Sequence, residues 1–253
     1  QLHQAHRALF RAGPDVVGRF DLDDRSYQLG RDVLRPQLDV GDDFDAMNAA
    51  YAYKQIGEYN KAIALYNLFI SDYGSDTRLN ALQKGDPKTK AAPDPKKYNE
   101  RIGYLGEAYS ALGEAYAVIP SFPYASPAEC FPKAKAAVAK ALELDPDLPE
   151  AHTNAGVIAA TYDWDWATAE REFKRSLEID PKLALTHYRY AWTYLSPIGR
   201  HDQAIEEMKK ATELEPLSLI QGANFAGVLI YARRYDGAIL QAQKVVDLDP
   251  TFF

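Results

Sequence analysis

The chain has 253 residues, 47% of them hydrophobic and 26% charged, and its 29 Lys+Arg against 36 Asp+Glu leave a net charge of −7. A pI near 5.3 disfavours nucleic acid as the main partner, because phosphate binding needs a basic stripe. No apolar run approaches the ~18 residues of a membrane-spanning helix, and the single cysteine, Cys130, excludes an internal disulfide framework or a Cys-based zinc site.

Residues 1–42 form an N-terminal extension with two expected short helices, "LHQAHRALFRA" and "DRSYQLGRDVL", the first stopped by Gly13-Pro14. They read equally as a degenerate repeat or as a cap. His3 and His6 stand three apart on the first helix but lack a third ligand nearby, so no metal is expected. Asp21, Asp23 and Asp32 resemble a calcium loop only partly. The sixth position lacks Gly and the twelfth lacks Glu, which the sharp turn and the bidentate clamp need.

Residues 43–76, "DFDAMNAAYAYKQIGEYNKAIALYNLFISDYGS" within them, predict a helix pair closed by Gly74, a helix stopper. Residues 77–97 interrupt the pattern with a Lys/Pro/Asp-rich stretch carrying Lys84, Lys88, Lys90, Lys96 and Lys97. It reads as a solvated excursion rather than a docking patch for an acidic partner. Residues 98–148 predict a second pair, "YLGEAYSALGEAYA" followed by "PKAKAAVAKALELDP", with "IPSFPYASP" looped between.

From here a ruler is visible. Pro146, Pro181, Pro216 and Pro250 each close a "LELDP"-like end, at spacings of 35, 35 and 34. Twelve before each proline stands Ala134, Ala169, Ala204 or Ala238, and eight before it Val138, Phe173, Met208 or Ala242. Small residues at helical spacing let one helix lie close against another. The intervals predict helix pairs over 149–183, 184–218 and 219–253. The same ruler disposes of the acid cluster in "ALELDPDLPEAH". Glu143, Asp145 and Asp147 fall where a helix ends, and Glu150 falls in the first turn of the next, where the helix dipole favours an acid.

These units resemble the tetratricopeptide repeat, a ~34-residue helix–turn–helix unit. Ala50, Tyr53, Gly57, Tyr59, Ala62, Tyr66 and Phe69 occupy that family's signature places in the first pair. From Tyr109 onward, "FPKAKAA", "DWDWATAEREFKRSLEID" and "EPLSLIQGANFAGVLIYARRYDGAI" are similar to the repeat tails of bacterial winged-helix regulators and Ser/Thr kinases. The resemblance implies an all-α, right-handed solenoid of about five helix pairs, each contacting mainly its neighbours.

The resemblance also implies a concave groove lined by the first helix of each pair. Carried over by position, the lining includes Phe44, Met47, Tyr51 and Lys54 in the first repeat. Thr153 and Val157 follow in the third, Tyr188 and Trp192 in the fourth, and Tyr231 in the fifth. With Lys54 the only base, a clamp for acidic C-terminal peptides is not expected. A partner protein or peptide held in this groove is the expected function, and a ligand-sensing arm of a regulator or kinase is the alternative.

No G-x-S-x-G, H-E-x-x-H, G-x-G-x-x-G or P-loop pattern appears, so neither an enzyme nor a cofactor is expected. His152 and His187 hold equivalent places in adjacent repeats and read as packing residues; His201 reads as solvated in a turn. Starting at Gln1 and stopping at "LDPTFF", the chain reads as a piece of something longer, with either fraying of its last repeat or self-association through it expected. A lone cysteine suits the cytoplasm and also a periplasmic arm.

Overall fold

The structure, a computed structural model, describes residues 43–55, 57–86, 88–121 and 125–251. The expectations for residues 1–42, including His3, His6 and the three aspartates, lie outside the described residues. So does the side chain of Phe44.

The described residues hold eleven α-helices and no β-strand, only an isolated backbone bridge between Asp86 and Ala91. The chain divides into two compact units, 1–146 and 147–253.

In the first unit, α1 (Asp43–Gln55) and α2 (Tyr59–Tyr73) form the opening pair. Ala46, Ala50 and Tyr53 are buried on α1, and Ala62, Ile63, Leu65, Tyr66 and Phe69 on α2. Gly57 turns the chain between them at φ 80°, a conformation that glycine adopts without steric cost. Gly74 ends α2 for a further reason, close approach. A Cβ there would lie 2.9 Å from Leu105 of the next long helix.

The expected excursion is partly helical. α3 (Asp76–Lys84) precedes a tight turn in which Asp86 Oδ1 accepts from the Lys88 amide at 2.9 Å. Its five lysines are exposed. α4 (Pro95–Val118) starts earlier than expected because Asp94 caps it, accepting from the Lys97 amide at 3.0 Å. α5 (Pro127–Leu144) then packs on α4, where Gly113 admits Val138; a Cβ at Gly113 would stand 2.6 Å from that side chain. Cys130 is buried within α5, and burial pushes its thiol pKa up.

The second unit holds three helix pairs. They are α6 (Pro149–Ile158) with α7 (Trp166–Ile179), α8 (Ala184–Arg189) with α9 (His201–Leu214), and α10 (Leu219–Tyr231) with α11 (Tyr235–Leu248). Both α6 and α8 run on into a π-turn, Ala159–Asp163 and Tyr190–Leu195. These belong to the two 35-residue repeats, whereas the 34-residue repeat has a plain α10. A π-turn absorbs one extra residue without breaking a helix.

Phe173 of α7 centres the core. Its ring lies against Gly156, where a Cβ would sit at 3.1 Å, and 5.2 Å from the ring of Tyr190. Burying such a side chain stabilises the fold by roughly 1.5–3 kcal/mol.

The punctuation has one geometry throughout. The amides of Asp145, Asp180, Glu215 and Asp249 donate to the carbonyls of Ala141, Ser176, Ala211 and Val245 at 2.8, 2.9, 2.9 and 3.0 Å. Each closing bond satisfies a helix-terminal carbonyl that would otherwise lack an intrahelical partner.

Candidate partner-binding groove

On α1, Met47 is half-buried and Tyr51 is 56% exposed. Lys54 is not available to an anionic ligand. Its ammonium lies 2.6 Å from Glu114 of α4 and 5.3 Å from the Tyr51 ring centroid. Burial, followed by the nearby Glu114 and Tyr51, raises the pKa of Tyr66 behind them.

In the second unit the expected lining residues separate into two groups. Thr153 and Val157 are buried. Thr153 donates to the Pro149 carbonyl at 3.0 Å, and its hydroxyl lies 2.9 Å from Ser176 and 2.7 Å from Thr186. It therefore ties α6, α7 and α8 together rather than facing solvent. Tyr188 is buried as well, with its hydroxyl accepting from Asn224 at 3.0 Å and the Arg189 guanidinium 5.0 Å from its ring.

Trp192 and Tyr231 form the accessible part. Trp192 lies on Gly227 of α10, where a Cβ would come within 2.8 Å of the indole. Its ring centroid is 6.0 Å from that of Tyr231, which is 61% exposed. Sequence reasoning missed Asn224 and Gly227. The glycine in "NFAGVLIY" is the one signal that could have pointed to a flat aromatic seat.

The most strongly shifted acid stands elsewhere, between α7 and α9. Glu170 accepts from Arg200 at 2.7 Å and Tyr194 at 3.1 Å, and pairs with Lys174 at 3.0 Å. The Arg200 hydrogen bond, then that of Lys174, holds its pKa down at about 2. Burial, followed by the Glu170 charge, pushes Tyr190 up to about 12. These groups satisfy one another and clamp two helices, a structural rather than acid–base arrangement.

His152 and His187 are packed, as expected, and each also meets a glutamate, Glu172 and Glu207 respectively. His201 differs from expectation: it opens α9 partly buried, with its Nδ1 enclosed and lacking a hydrogen-bond partner. Among the described residues no cluster of three His, Cys, Asp or Glu side chains suits a metal. No described helix is long and apolar enough to cross a membrane.

Residues 46–71 and 184–216 match the family model described as tetratricopeptide repeat. The small glutamine-rich tetratricopeptide repeat-containing protein 2 of Mycosarcoma maydis is 28% identical over 87 residues, 34% of this chain and 24% of that protein. The chain thus spans about a quarter of that curated relative. Among solved structures, YrrB, a TPR protein with an unusual peptide-binding site, is 17% identical over 83% of this chain and 88% of its own, with a TM-score of 0.43. A thermophilic TPR protein of Thermus thermophilus, TTC0263, is 20% identical over 75% of this chain and 100% of its own, at a TM-score of 0.45. None of these matches points to a winged-helix regulator or a kinase. The two matched stretches each fold as a helix pair, α1 with α2 and α8 with α9, as a tetratricopeptide repeat does.

Proposed function

We propose that the chain is a non-enzymatic scaffold that holds an extended, largely uncharged segment of another protein on the first helices of its repeats. The observation that carries this reading is the Trp192–Gly227–Tyr231 seat on α10, whose thirteen residues include no charged side chain. Flat aromatic rings with polar edges make good anchors for an apolar side chain. The ion pair between Lys54 and Glu114 argues against an acidic C-terminal peptide.

Calorimetry with a panel of neutral, apolar-rich peptides and acidic free-carboxylate peptides tests both halves of the proposal. Neutral peptides should bind, and Trp192→Ala should weaken them by at least about tenfold, the ~1.4 kcal/mol expected of one anchor. Tight, salt-sensitive binding of the acidic peptides, or no effect of Trp192→Ala, would overturn it.

We also propose that a second copy of the chain covers the outer face of α11. Ile239 is 68% exposed there, whereas Ile205, at the matching place of the preceding repeat, packs against the core. Sedimentation should show concentration-dependent dimers that Ile239→Lys abolishes. A monomer at all concentrations would refute the contact.

A further inference from the structure

His187 is held by acceptors on both sides of its ring. Nδ1 meets the carboxylate of Glu207 on α9, and Nε2 lies 2.9 Å from the carbonyl of Pro181 in the turn that precedes α8. A neutral imidazole has one N–H and satisfies only one of these acceptors; the other nitrogen then points a lone pair at an oxygen. The imidazolium satisfies both. With the residue 5% exposed, water has little access to replace a lost bond.

The charged groups facing this ring come from α9. They are Glu207 and Lys210, whose ammonium lies 2.8 Å from Glu207. α6 and α7, which also pack against α8, present the hydroxyls of Thr153 and Ser176 to Thr186 beside it. Burial alone would lower the His187 pKa. Its bonds to Glu207 and Pro181, with the Glu207 charge, outweigh burial and the opposing Lys210, so the pKa rises. Burial would raise that of Glu207, but His187 and Lys210 bring it down.

The arrangement recurs one repeat earlier, where His152 Nδ1 lies 2.7 Å from Glu172. Each histidine stands six residues after its turn proline, and each glutamate nine before the next one. Repeat five has Gly222 and Gln241 at these two places.

We propose that His187 and Glu207 form a proton-controlled latch. The imidazolium ties α8 both to α9 and to the turn before it, and loss of the proton releases α8. The latch goes beyond the groove reading and does not depend on it. Because the folded-state pKa is raised, its stabilisation is complete below the unfolded histidine value of ~6.5 and is lost as pH rises through the folded value.

Nitrogen NMR of the histidine rings in the full chain, with amide exchange of residues 184–189, tests the latch. The His187 ring should titrate above the ~6.5 of an unfolded histidine, with both ring nitrogens protonated below its midpoint, and the α8 protection factors should fall several-fold as the ring loses its proton. Glu207→Gln keeps the shape without the charge. It should lower the His187 midpoint and remove the pH dependence of α8 protection. A His187 midpoint at or below ~6.5, or α8 protection unchanged as the proton leaves, would overturn the latch. If Glu207→Gln fails to fold, the wild-type titration still decides.

Discussion

Repeats three and four each span 35 residues between turn prolines and repeat five spans 34, and their helices differ accordingly. The longer repeats end their first helix in a π-turn and carry a His–Glu pair; the shorter one has an unbroken α10 and neither His nor Glu at those places. The second helices, by contrast, all close with the same amide-to-carbonyl bond. An added residue is thus absorbed in the first helix, while the joint that sets the repeat is kept.

Deletion breaks or sharpens this comparison most strongly. Removing Tyr162 from the π-turn of repeat three should let the segment relax to α-helix, at a cost on the order of 1–2 kcal/mol. Removing Ala223 from α10 has no π-turn to absorb it. Everything beyond would rotate by roughly 100° about the helix axis, taking Val228 and Leu229 out of the core. That variant should lose more than ~4 kcal/mol or fail to fold. Equal losses in urea unfolding would show that the π-turn is not an absorbed insertion.

The next effect is in the shared core. Phe173→Ala should cost about 3–5 kcal/mol, because the ring fills space against Gly156 and Tyr190 that these neighbours cannot collapse into. Urea unfolding of the variant measures that loss, and a cost below ~1 kcal/mol would mean that the site closes over the missing ring.

How much of this was legible depends on whether a feature repeats. The prolines, the small residues twelve before them and the paired helices recur at a fixed interval, so the sequence displays them several times over. The surplus residue was visible in the 35-to-34 difference, but not its place in the helix. α3 escaped notice because a polar nine-residue segment has little periodic apolar pattern. Exposure at the expected groove positions was not legible. Position in the repeat named Trp192 and Tyr231, which are accessible, alongside Thr153 and Tyr188, whose burial depends on what adjoining helices place over them. The partner of Lys54 is sixty residues away, and no local spacing announces Glu114.

Acid provides a smaller perturbation confined to the joint between repeats three and four. Glu170 has a folded pKa of about 2, held down first by Arg200, against an unfolded value of ~4.3. A depressed acid contributes stability above its unfolded pKa and loses it as pH falls through the folded one, so the contribution should disappear between about pH 4 and pH 2. Arg200→Gln should flatten that part of the stability profile in thermal scans. An unchanged acid limb would assign the loss to other carboxylates.

The smallest effect belongs to repeat five. Leu240 is exposed on α11, ten residues before its proline, where repeats three and four have Arg171 and Glu206. Leu240→Glu should change monomer stability by no more than ~0.5 kcal/mol, since it removes a side chain that contributes little to the core. If a second copy covers this face, the same substitution acts through a different equilibrium. Dissociation then rises with dilution while the unfolding midpoint at low concentration stays fixed. Measuring the midpoint across a wide concentration range separates the two effects. A large loss at every concentration would mean that α11 rests on its own chain through this face, and repeat five would then resemble its neighbours more than its exposed side chains indicate.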